Sequence, residues 1–502
     1  MSKLLMLKMT QSLRKFGTSI EIWWRKSLFI NPKIQVKSIN LLLIFFFMSC
    51  TNTPRVYREA GKFPIRSAIR HTINRSGLTT NLGIKIVSLK THQTLYELNA
   101  HSLFNPASNN KLFTCIASLA LIDTGYTFST SVYQGKNNIF LVAGGDPDLT
   151  LEELDSLAKM TSANLTEIDT LFLDRSLFDT TRFGEGWMWD EGPWKYAAQI
   201  SALSVNDNTV DFYVTPGTLN QPVQITTNPI TNYIQILNQT NTVNDTIGFE
   251  PLTIDRDWEN KTNLFTITGM VMDTASVDTL TRNIENPTLF TGHLFASMLK
   301  NHGLHPKVII ERKYMGHGHL VALYQSQSLI HSLKNLMKES DNLTAEVLVK
   351  MIGHQITDSM GTWQNGLTAI KTFLNKDVGL DTSSFNLADG SGVSRYNYYS
   401  PNHFVKLLTW AYENRKIRDN LLSVLPVGGW DGTLKDRMNG QYANHILAKT
   451  GTLSGVSCLS GYVFTRSGEP LAFSIMMNGY VQSSGPYRNL QDNITKILSE
   501  LK

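Results

Sequence analysis

The chain has 502 residues and a formal charge of +5, from 46 basic and 41 acidic side chains. Residues 1–50 hold eight of the basic residues and one acid, so they carry +7 and the other 452 residues carry −2. Because the positive charge is confined to one end, the composition argues against a nucleic-acid-binding body. With 10% aromatic residues and three cysteines, disorder, a disulfide scaffold and a Cys-rich zinc module are also excluded.

The first 50 residues have the layout of an export signal. A basic stretch precedes the apolar run 41–48, which is too short to cross a hydrocarbon core about 30 Å thick but matches the core of a secretory signal. Ser49 followed by Cys50 resembles a bacterial lipoprotein cleavage box, so we expect a protein exported to the periplasm or cell envelope and lipid-anchored at Cys50. The alternatives are an uncleaved anchor and a buried apolar strand. Residues 51–64 then form a tether.

After residue 65 the pattern predicts an α+β protein in which one helix-and-sheet domain is interrupted and then resumed. Its first part, 65–135, contains predicted strands at 84–89 and 94–98 and a helix over 108–122. Its second part, 313–502, contains a further set of predicted elements: helices at 328–338, 343–354, 364–375 and 401–413, strands at 445–449, 458–464 and 471–477, and a C-terminal helix from about 485.

The residues between these two parts, 136–312, have a different character. Short strand-like runs dominate, and loops rich in Asn, Thr, Asp and Gly separate them. The runs lie at 139–143, 170–173, 210–215, 223–226 and 265–271. We therefore expect a long β-rich insertion, of one or more domains, within the helix-and-sheet domain.

The first candidate motif lies at the start of the helix predicted over 108–122. Ser108 and Lys111 are three positions apart, which places their Cβ atoms on one helix face about 5–6 Å from each other. The pair suits a hydroxyl nucleophile beside an amine base, if the lysine pKa is lowered from about 10.4 by burial or a second cation. The alternative is that Ser108 only caps the helix.

A second cluster, Ser340-Asp341-Asn342, precedes the helix predicted at 343–354. Ser340 can pass a proton between Lys111 and a leaving amine, and Asn342 can donate its amide to a substrate carbonyl. All three residues of the cluster are also good helix caps, which is the alternative.

A third cluster, Lys449-Thr450-Gly451-Thr452, falls on a predicted strand. Lys449 and Thr450 can bind a carboxylate, and Gly451 lets a substrate backbone approach closely. The N–H of Thr452 can complete an oxyanion hole with that of Ser108. The alternative is an ordinary strand end with a solvated lysine.

Together and in this order, the clusters resemble the catalytic motifs of penicillin-binding proteins and β-lactamases. The first two motifs are 232 positions apart, and a compact β-lactamase has no room for such an insertion. The chain therefore resembles the class C low-molecular-mass penicillin-binding proteins, the D-alanyl-D-alanine carboxypeptidase/endopeptidase family. Six segments are similar to family signatures: 144–147, 186–190, 200–206, 340–346, 389–395 and 431–434.

The resemblance implies a fold and a reaction. The fold is a penicillin-binding/β-lactamase-like transpeptidase domain, an antiparallel sheet flanked by helices, interrupted by the insertion. Ser108 attacks the carbonyl between two D-alanines, Lys111 takes its proton, Ser340 relays the proton to the leaving group, and water hydrolyses the acyl-enzyme. Neither a cofactor nor a metal is implied.

The resemblance also implies residues that hold the diamino-acid end of a peptidoglycan stem peptide. These are one acid at Asp190 or Glu191, with Glu191 favoured, the aromatic ring of Tyr196, and Arg395. At Ser454 many relatives carry Gln, so this chain departs from the family pattern there.

Two groups outside the motifs also attract attention. His317 and His319 suggest a metal pair, but no neighbouring cluster completes a ligand set, and no metal is predicted. Trp187, Trp189 and Trp194 could stack on a sugar, although we expect a packed corner of the insertion.

The predicted function is that of an exported serine D,D-peptidase that acts on peptidoglycan stem peptides and is acylated by penicillins. The balance between carboxypeptidase and endopeptidase action stays open. Two alternatives remain: a β-lactamase-like hydrolase, which needs fast deacylation, and a catalytically silent envelope-binding lipoprotein. We expect stem peptides, β-lactams and a membrane as partners, and no nucleic acid.

Overall fold

The computed structural model describes residues 65–502. The predicted leader 1–50 with Cys50 and the predicted tether 51–64 lie outside these residues. No helix between residues 65 and 502 combines the length and the hydropathy that a membrane span requires.

The helices of this part of the chain are α1 (Ile65–Ser76), α2 (Lys111–Leu121), α3 (Leu151–Asn164), α4 (Pro287–Asn301), α5 (Leu329–Lys338), α6 (Asn342–Thr357), α7 (Trp363–Lys376), α8 (Pro401–Glu413), α9 (Arg415–Val424) and α10 (Gly485–Ser499). The strands are β1 (Asn81–Ser88), β2 (Thr94–Leu98), β3 (Thr127–Gly135), β4 (Asn138–Val142), β5 (Thr170–Asp174), β6 (Thr209–Thr215), β7 (Gln224–Asn228), β8 (Gln235–Val243), β9 (Thr253–Arg256), β10 (Leu264–Met272), β11 (Asp278–Asn283), β12 (Val308–Glu311), β13 (His319–Ser328), β14 (Ile446–Leu453), β15 (Val456–Phe464) and β16 (Pro470–Asn478).

The first and last parts of the described chain share one antiparallel sheet, ordered β14-β15-β16-β1-β2. Its strands β15 and β16 are buried along nearly their whole length. Because successive side chains of a strand point to opposite sides, this continuous burial means that both faces of the sheet are covered. Ile475 joins the core that includes Ile69 of α1 and Ile494 of α10, whereas Met476 joins the core that includes α2. The sheet is thus covered by helices on both faces, and the predicted α+β class is confirmed.

The middle of the chain builds three further sheets. A mixed five-stranded sheet has the order β12-β5-β4-β3-β13, and two three-stranded sheets have the orders β11-β6-β7 and β8-β10-β9. The predicted limits at 135/136 and 312/313 fall inside the mixed sheet, between paired β3 and β4 and between β12 and β13. The mixed sheet thus contains strands from both sides of each predicted limit. The domain limits stay a prediction.

Two helices of the middle region were not predicted from the strand-like pattern. Thr150 and Glu153 form a reciprocal capping box at the start of α3, and Asn286 caps α4 ahead of Pro287. Both starts carry a recognisable sequence signal, but the polar, Thr- and Asn-rich surroundings obscured it.

Candidate active site

Ser108 lies in a short 3-10 turn, Ala107–Asn110, that runs directly into α2. Ala107 is in the left-handed region at φ 47°, where residues with a side chain are uncommon. Gly392, at φ 89°, lies against this turn, and a Cβ atom at 392 would collide with the carbonyl of Ala107. The backbone around Gly392 therefore supports the turn that presents Ser108.

The Lys111 amine is completely buried and contacts three oxygen atoms. Its Nζ lies 3.0 Å from Ser108 Oγ, 2.5 Å from Asn342 Oδ1 and 2.9 Å from the carbonyl oxygen of Ser391. The first two motifs are thus brought together, although they are far apart in the sequence. The Ser108–Lys111 distance allows direct proton transfer between hydroxyl and amine.

Burial lowers the pKa of Lys111 from 10.5 to about 8, and the charges of Asp341, Asp389 and Glu346 act in the opposite direction. Burial, and next the charge of Lys111, also lower the pKa of Lys449 well below its ordinary value. Of the two causes expected from the sequence, burial and a second cation, burial is the main one for Lys111. A pKa near 8 gives a neutral fraction of about one tenth at pH 7.

The second motif contacts the third through Ser340. Lys449 Nζ donates to Ser340 Oγ at 2.8 Å and to the carbonyl of Thr450 at 3.1 Å. Ser340 itself is held at φ 64° between α5 and α6. Asp341 is the N-cap of α6, because its carboxylate accepts the Thr344 N–H at 2.6 Å. Capping therefore accounts for Asp341, while Ser340 faces the third motif.

Strand β14 packs directly against the nucleophile turn at Gly451. A Cβ atom at this position would clash with the carbonyl of Pro106 and approach Ser108 N to 3.1 Å. The close approach seen at Gly451 is that of the turn, whereas a substrate backbone was expected from the sequence. Thr450 Oγ1 donates to Thr433 Oγ1 at 2.9 Å, and Thr452 is exposed.

A cavity of about 340 Å³ opens at the meeting point of the three motifs. It is lined by Ser108, Ser340, Thr433, Arg437, Thr450, Thr452 and Arg488. Its two guanidinium groups suit a substrate with a carboxylate. Arg437 is paired with Asp492 at 2.6 Å, whereas Arg488 reaches Thr452 Oγ1 at 3.5 Å.

The comparisons with known proteins agree with this geometry. The model of the D-Ala-D-Ala carboxypeptidase 3 (S13) family matches residues 66–501. The chain belongs to this family. It is 34% identical over 451 residues to the D-alanyl-D-alanine carboxypeptidase of Actinomadura sp. (strain R39), an alignment that covers 83% of this chain and 81% of that protein.

Comparison with one sequence and one crystal structure from Haemophilus influenzae extends this result. The D-alanyl-D-alanine carboxypeptidase DacB is 27% identical over 436 residues, covering 81% of this chain and 88% of its own. The crystal structure of penicillin-binding protein 4 (dacB) shares the fold with a TM-score of 0.76 at 23% identity, over 86% of this chain and 99% of that one. The predicted family is confirmed, and the protein is a serine-type D-Ala-D-Ala carboxypeptidase that acts on peptidoglycan in the cell envelope.

The residues expected to hold the diamino-acid end of the substrate differ in exposure. Glu191 is buried, Asp190 is exposed, and the Tyr196 ring is partly exposed. Burial raises the pKa of Glu191, and the neighbouring charge of Arg395 opposes that shift. Arg395 Nη1 lies 3.4 Å from the backbone carbonyl of Ser454, so the contact seen at Ser454 is made by its backbone.

Tyr196 is also joined to the second motif. Its carbonyl oxygen accepts a hydrogen bond of 2.7 Å from Asn342 Nδ2, while Asn342 Oδ1 accepts from Lys111. The Asn342 amide is therefore engaged at both ends in this structure. A substrate carbonyl has to replace the Tyr196 contact or share the amide N–H₂ group.

Two buried carboxylates that support the site were not recognised as such in the sequence. Glu346 accepts from the N–H groups of Gly390 and Ser391 at 2.9 and 2.8 Å. Asp389 accepts from the N–H of Gly392 at 2.8 Å. Glu346 and Asp389 lie in segments that were noted as family signatures, and that was the available signal. Arg488 had no such signal, because it lies on α10 and is distant in the sequence from all three motifs.

Proposed function

We propose that Ser108 is the nucleophile of this D,D-peptidase and that Lys111 is its general base. The observation that carries the proposal is the 3.0 Å contact between Lys111 Nζ and Ser108 Oγ at a fully buried amine whose pKa is lowered to about 8. Neutral Lys111 takes the hydroxyl proton as Ser108 Oγ bonds to the carbonyl carbon of the penultimate D-alanine. The negative charge then develops on the substrate oxygen, near the N–H groups of Ser108 and Thr452.

Collapse of this intermediate breaks the peptide bond and leaves an acyl ester on Ser108. The leaving amine needs a proton, and we propose that it comes from Lys111 by way of Ser340. The 2.8 Å contact between Lys449 and Ser340 supports this role, because it fixes the Ser340 hydroxyl at the cavity that Ser108 also lines. Water then attacks the ester, Lys111 again accepts a proton, and Ser108 is released as a hydroxyl.

We propose that the carboxylate of the leaving D-amino acid binds at Lys449, Thr450 and Arg488. Thr450 and Arg488 line the cavity, and Lys449 contacts Ser340, which also lines it. Gly451 keeps β14 against the Ser108 turn, which holds the carboxylate site at a fixed distance from the nucleophile. A free C-terminal D-alanine and the D-centre of a crosslinked diamino acid both present this carboxylate, so carboxypeptidase and endopeptidase action are compatible with the same site.

On the acyl side, we propose that Glu191, Tyr196 and Arg395 bind the amine and carboxylate of the diamino acid. Burial raises the pKa of Glu191, but the positive charge of Arg395 acts to lower it and so favours the ionised form, which supports the assignment of Glu191 over the exposed Asp190. Ser454 offers a backbone carbonyl to Arg395, which limits the rotation of that guanidinium.

Digestion of purified crosslinked muropeptides tests these roles. The wild-type enzyme should release D-alanine and, where endopeptidase action is present, separated monomers. Ser108→Ala should release neither product while keeping the wild-type unfolding transition. Turnover by Ser108→Ala would contradict the assignment of the nucleophile.

We also propose that Cys50 is lipidated and tethers the enzyme to a membrane. The apolar run 41–48 followed by Ser49 and Cys50 supports this proposal. In a bacterial host, the wild-type protein should enter the membrane fraction with a lipid-modified Cys50, and Cys50→Ser should not be lipidated. Recovery of both forms in the soluble fraction would contradict it.

A further inference from the structure

We propose that a second pocket, next to the active site, binds neutral sugar units of a glycan. This aromatic pocket has a volume of about 550 Å³, within the range of about 300–1,000 Å³ of small-ligand sites. It is formed by residues from 180–192 and 256–261 together with Ala197, Gln199 and Glu285. Among its lining residues, only Glu191 belongs to the set proposed above for the stem peptide.

Aromatic side chains at the pocket are unusually open to solvent. Trp189 is 74% exposed and Phe183 is 44% exposed, and both line the pocket. The ring of Trp189 lies 5.2 Å from that of Trp258 at an angle of 51°, which leaves two indole faces at different inclinations. The prediction of a packed corner is therefore wrong for Trp189, whereas the Trp194 ring packs against the guanidinium of Arg282 at 4.4 Å. Exposed indole faces suit the apolar C–H faces of a pyranose ring.

The charged residues of the pocket balance one another. Three acids, Glu191, Glu259 and Glu285, face three bases, Arg182, Arg256 and Lys261. Glu285 lies 3.3 Å from Arg182 and 3.4 Å from Arg256, so its charge is already compensated. A pocket of this kind favours neither an anion nor a cation, and its carboxylates and guanidiniums hydrogen-bond well to hydroxyl and acetamido groups.

Arg256 gives a second, independent indication of a ligand. This side chain is almost completely buried at the pocket, yet its Nε–H has no hydrogen-bond partner among the described residues. A buried donor without a partner is energetically unfavourable. An occupant that brings acceptor oxygens relieves that deficit, and a sugar has many of them.

The pocket is also structurally coupled to the active site. The Trp187 indole N–H donates to Asp389 at 3.0 Å, and Asp389 holds the backbone of Gly392 beneath the nucleophile turn. Glycan binding here rests on the proposed function in one respect: stem peptides are carried on a glycan, and this pocket adjoins the residues proposed for their diamino acid. A bound strand would raise the local concentration of stem peptides.

Isothermal titration with tri-N-acetylchitotriose, a neutral glycan fragment without a peptide, tests the proposal. We expect saturable binding that weakens about tenfold, which is about 1.4 kcal/mol, in Trp189→Ala and in Phe183→Ala. Phe249→Ala is the matched control, because Phe249 is an exposed aromatic residue that does not line the pocket. Near-ultraviolet circular dichroism identifies any variant that fails to fold.

Absence of saturable binding to the folded wild type would overturn the proposal. Equal weakening by Phe249→Ala and by the two pocket variants would also overturn it. Ser108→Ala should bind the trisaccharide with unchanged affinity. A failure of the proposed catalytic roles therefore leaves the sugar titration intact, and a failure of the titration leaves acylation of Ser108 intact.

Discussion

Glu346 and Ser391 are joined by a buried hydrogen bond of 2.8 Å, from the Ser391 N–H to the Glu346 carboxylate. The carbonyl of the same Ser391 accepts from Lys111 at 2.9 Å. One residue thus connects a buried acid to the proposed base without direct contact between the two charges. Glu346 is a positioning residue, since it fixes the backbone that aligns the lysine amine with Ser108.

Replacement of this acid, Glu346→Gln, should impair both stability and catalysis. The carboxylate accepts three donors, the N–H groups of Gly390 and Ser391 and the indole of Trp363, and an amide cannot accept all three. We expect the free energy of unfolding to fall by about 1–3 kcal/mol. Its charge also raises the pKa of Lys111, so the pH profile of kcat/KM should move to lower pH. Urea unfolding and a pH series measure the two effects, with exposed Glu413→Gln as the control. If Glu346→Gln keeps the wild-type stability and pH profile, the positioning role of Glu346 is contradicted.

The pH dependence of acylation should report the titration of Lys111. Its pKa is lowered to about 8 and the neutral form is the base, so kcat/KM should rise with pH through about 8. Lys111→Met removes the base without burying a charge and should reduce acylation by about 10²- to 10⁴-fold. If chemistry limits the rate and kcat/KM still does not change between pH 6 and 9, the assignment of Lys111 as the base is contradicted.

The same titration has a consequence for stability. Between about 8 and 10.5 the unfolded chain holds a proton on Lys111 that the folded chain does not. The free energy of unfolding of the wild type should therefore increase with pH in this window relative to that of Lys111→Met. Chemical denaturation of both proteins at pH 8 and pH 10 gives the difference; a difference that is independent of pH would contradict the lowered pKa.

Gly392→Ala tests the support of the nucleophile turn. Gly392 is at φ 89°, and an added Cβ would collide with the carbonyl of Ala107. Gly303, at φ 88°, has nothing within 4 Å of the same hypothetical atom, so Gly303→Ala introduces similar backbone strain without the clash. We expect Gly392→Ala to slow acylation at least tenfold and Gly303→Ala to leave it unchanged. Equal acylation rates in the two variants would contradict the steric role of Gly392.

Arg488→Gln tests the carboxylate site. Arg488 lines the active-site cavity from α10, and the loss of its charge should lower kcat/KM for a D-Ala-D-Ala peptide about tenfold, mainly through KM. Lys496→Gln removes a charge from the same helix outside that cavity and should have no such effect. Steady-state release of D-alanine measures both; similar values for the two variants would contradict the proposed contact.

The elements around the catalytic motifs could be predicted because their signals are local. Apolar alternation indicated β1, β2 and β16 nearly at their observed limits, and periodicity indicated the helices on either side of Ser340. The spacing of Ser108 and Lys111 predicted their contact even though Ser108 lies in a 3-10 turn ahead of α2.

The remaining features depend on contacts between distant parts of the chain. Lys111 meets the Ser391 carbonyl across 280 positions, and Lys449 meets Ser340 across 109. A backbone carbonyl has no residue-type signature, so the role of Ser391 was invisible in the sequence. The lowered pKa of Lys111 likewise results from burial by elements that pack around it.

Acylation by a labelled penicillin is the most direct test of Ser108 as the nucleophile. The folded full-length protein is incubated with the inhibitor, digested, and analysed by mass spectrometry for the modified peptide. We predict one adduct, on Ser108, that is absent from Ser108→Ala and forms far more slowly in Lys111→Met. Folded protein without an adduct, or an adduct that forms equally on Ser108→Ala, would contradict the assignment of Ser108 as the nucleophile.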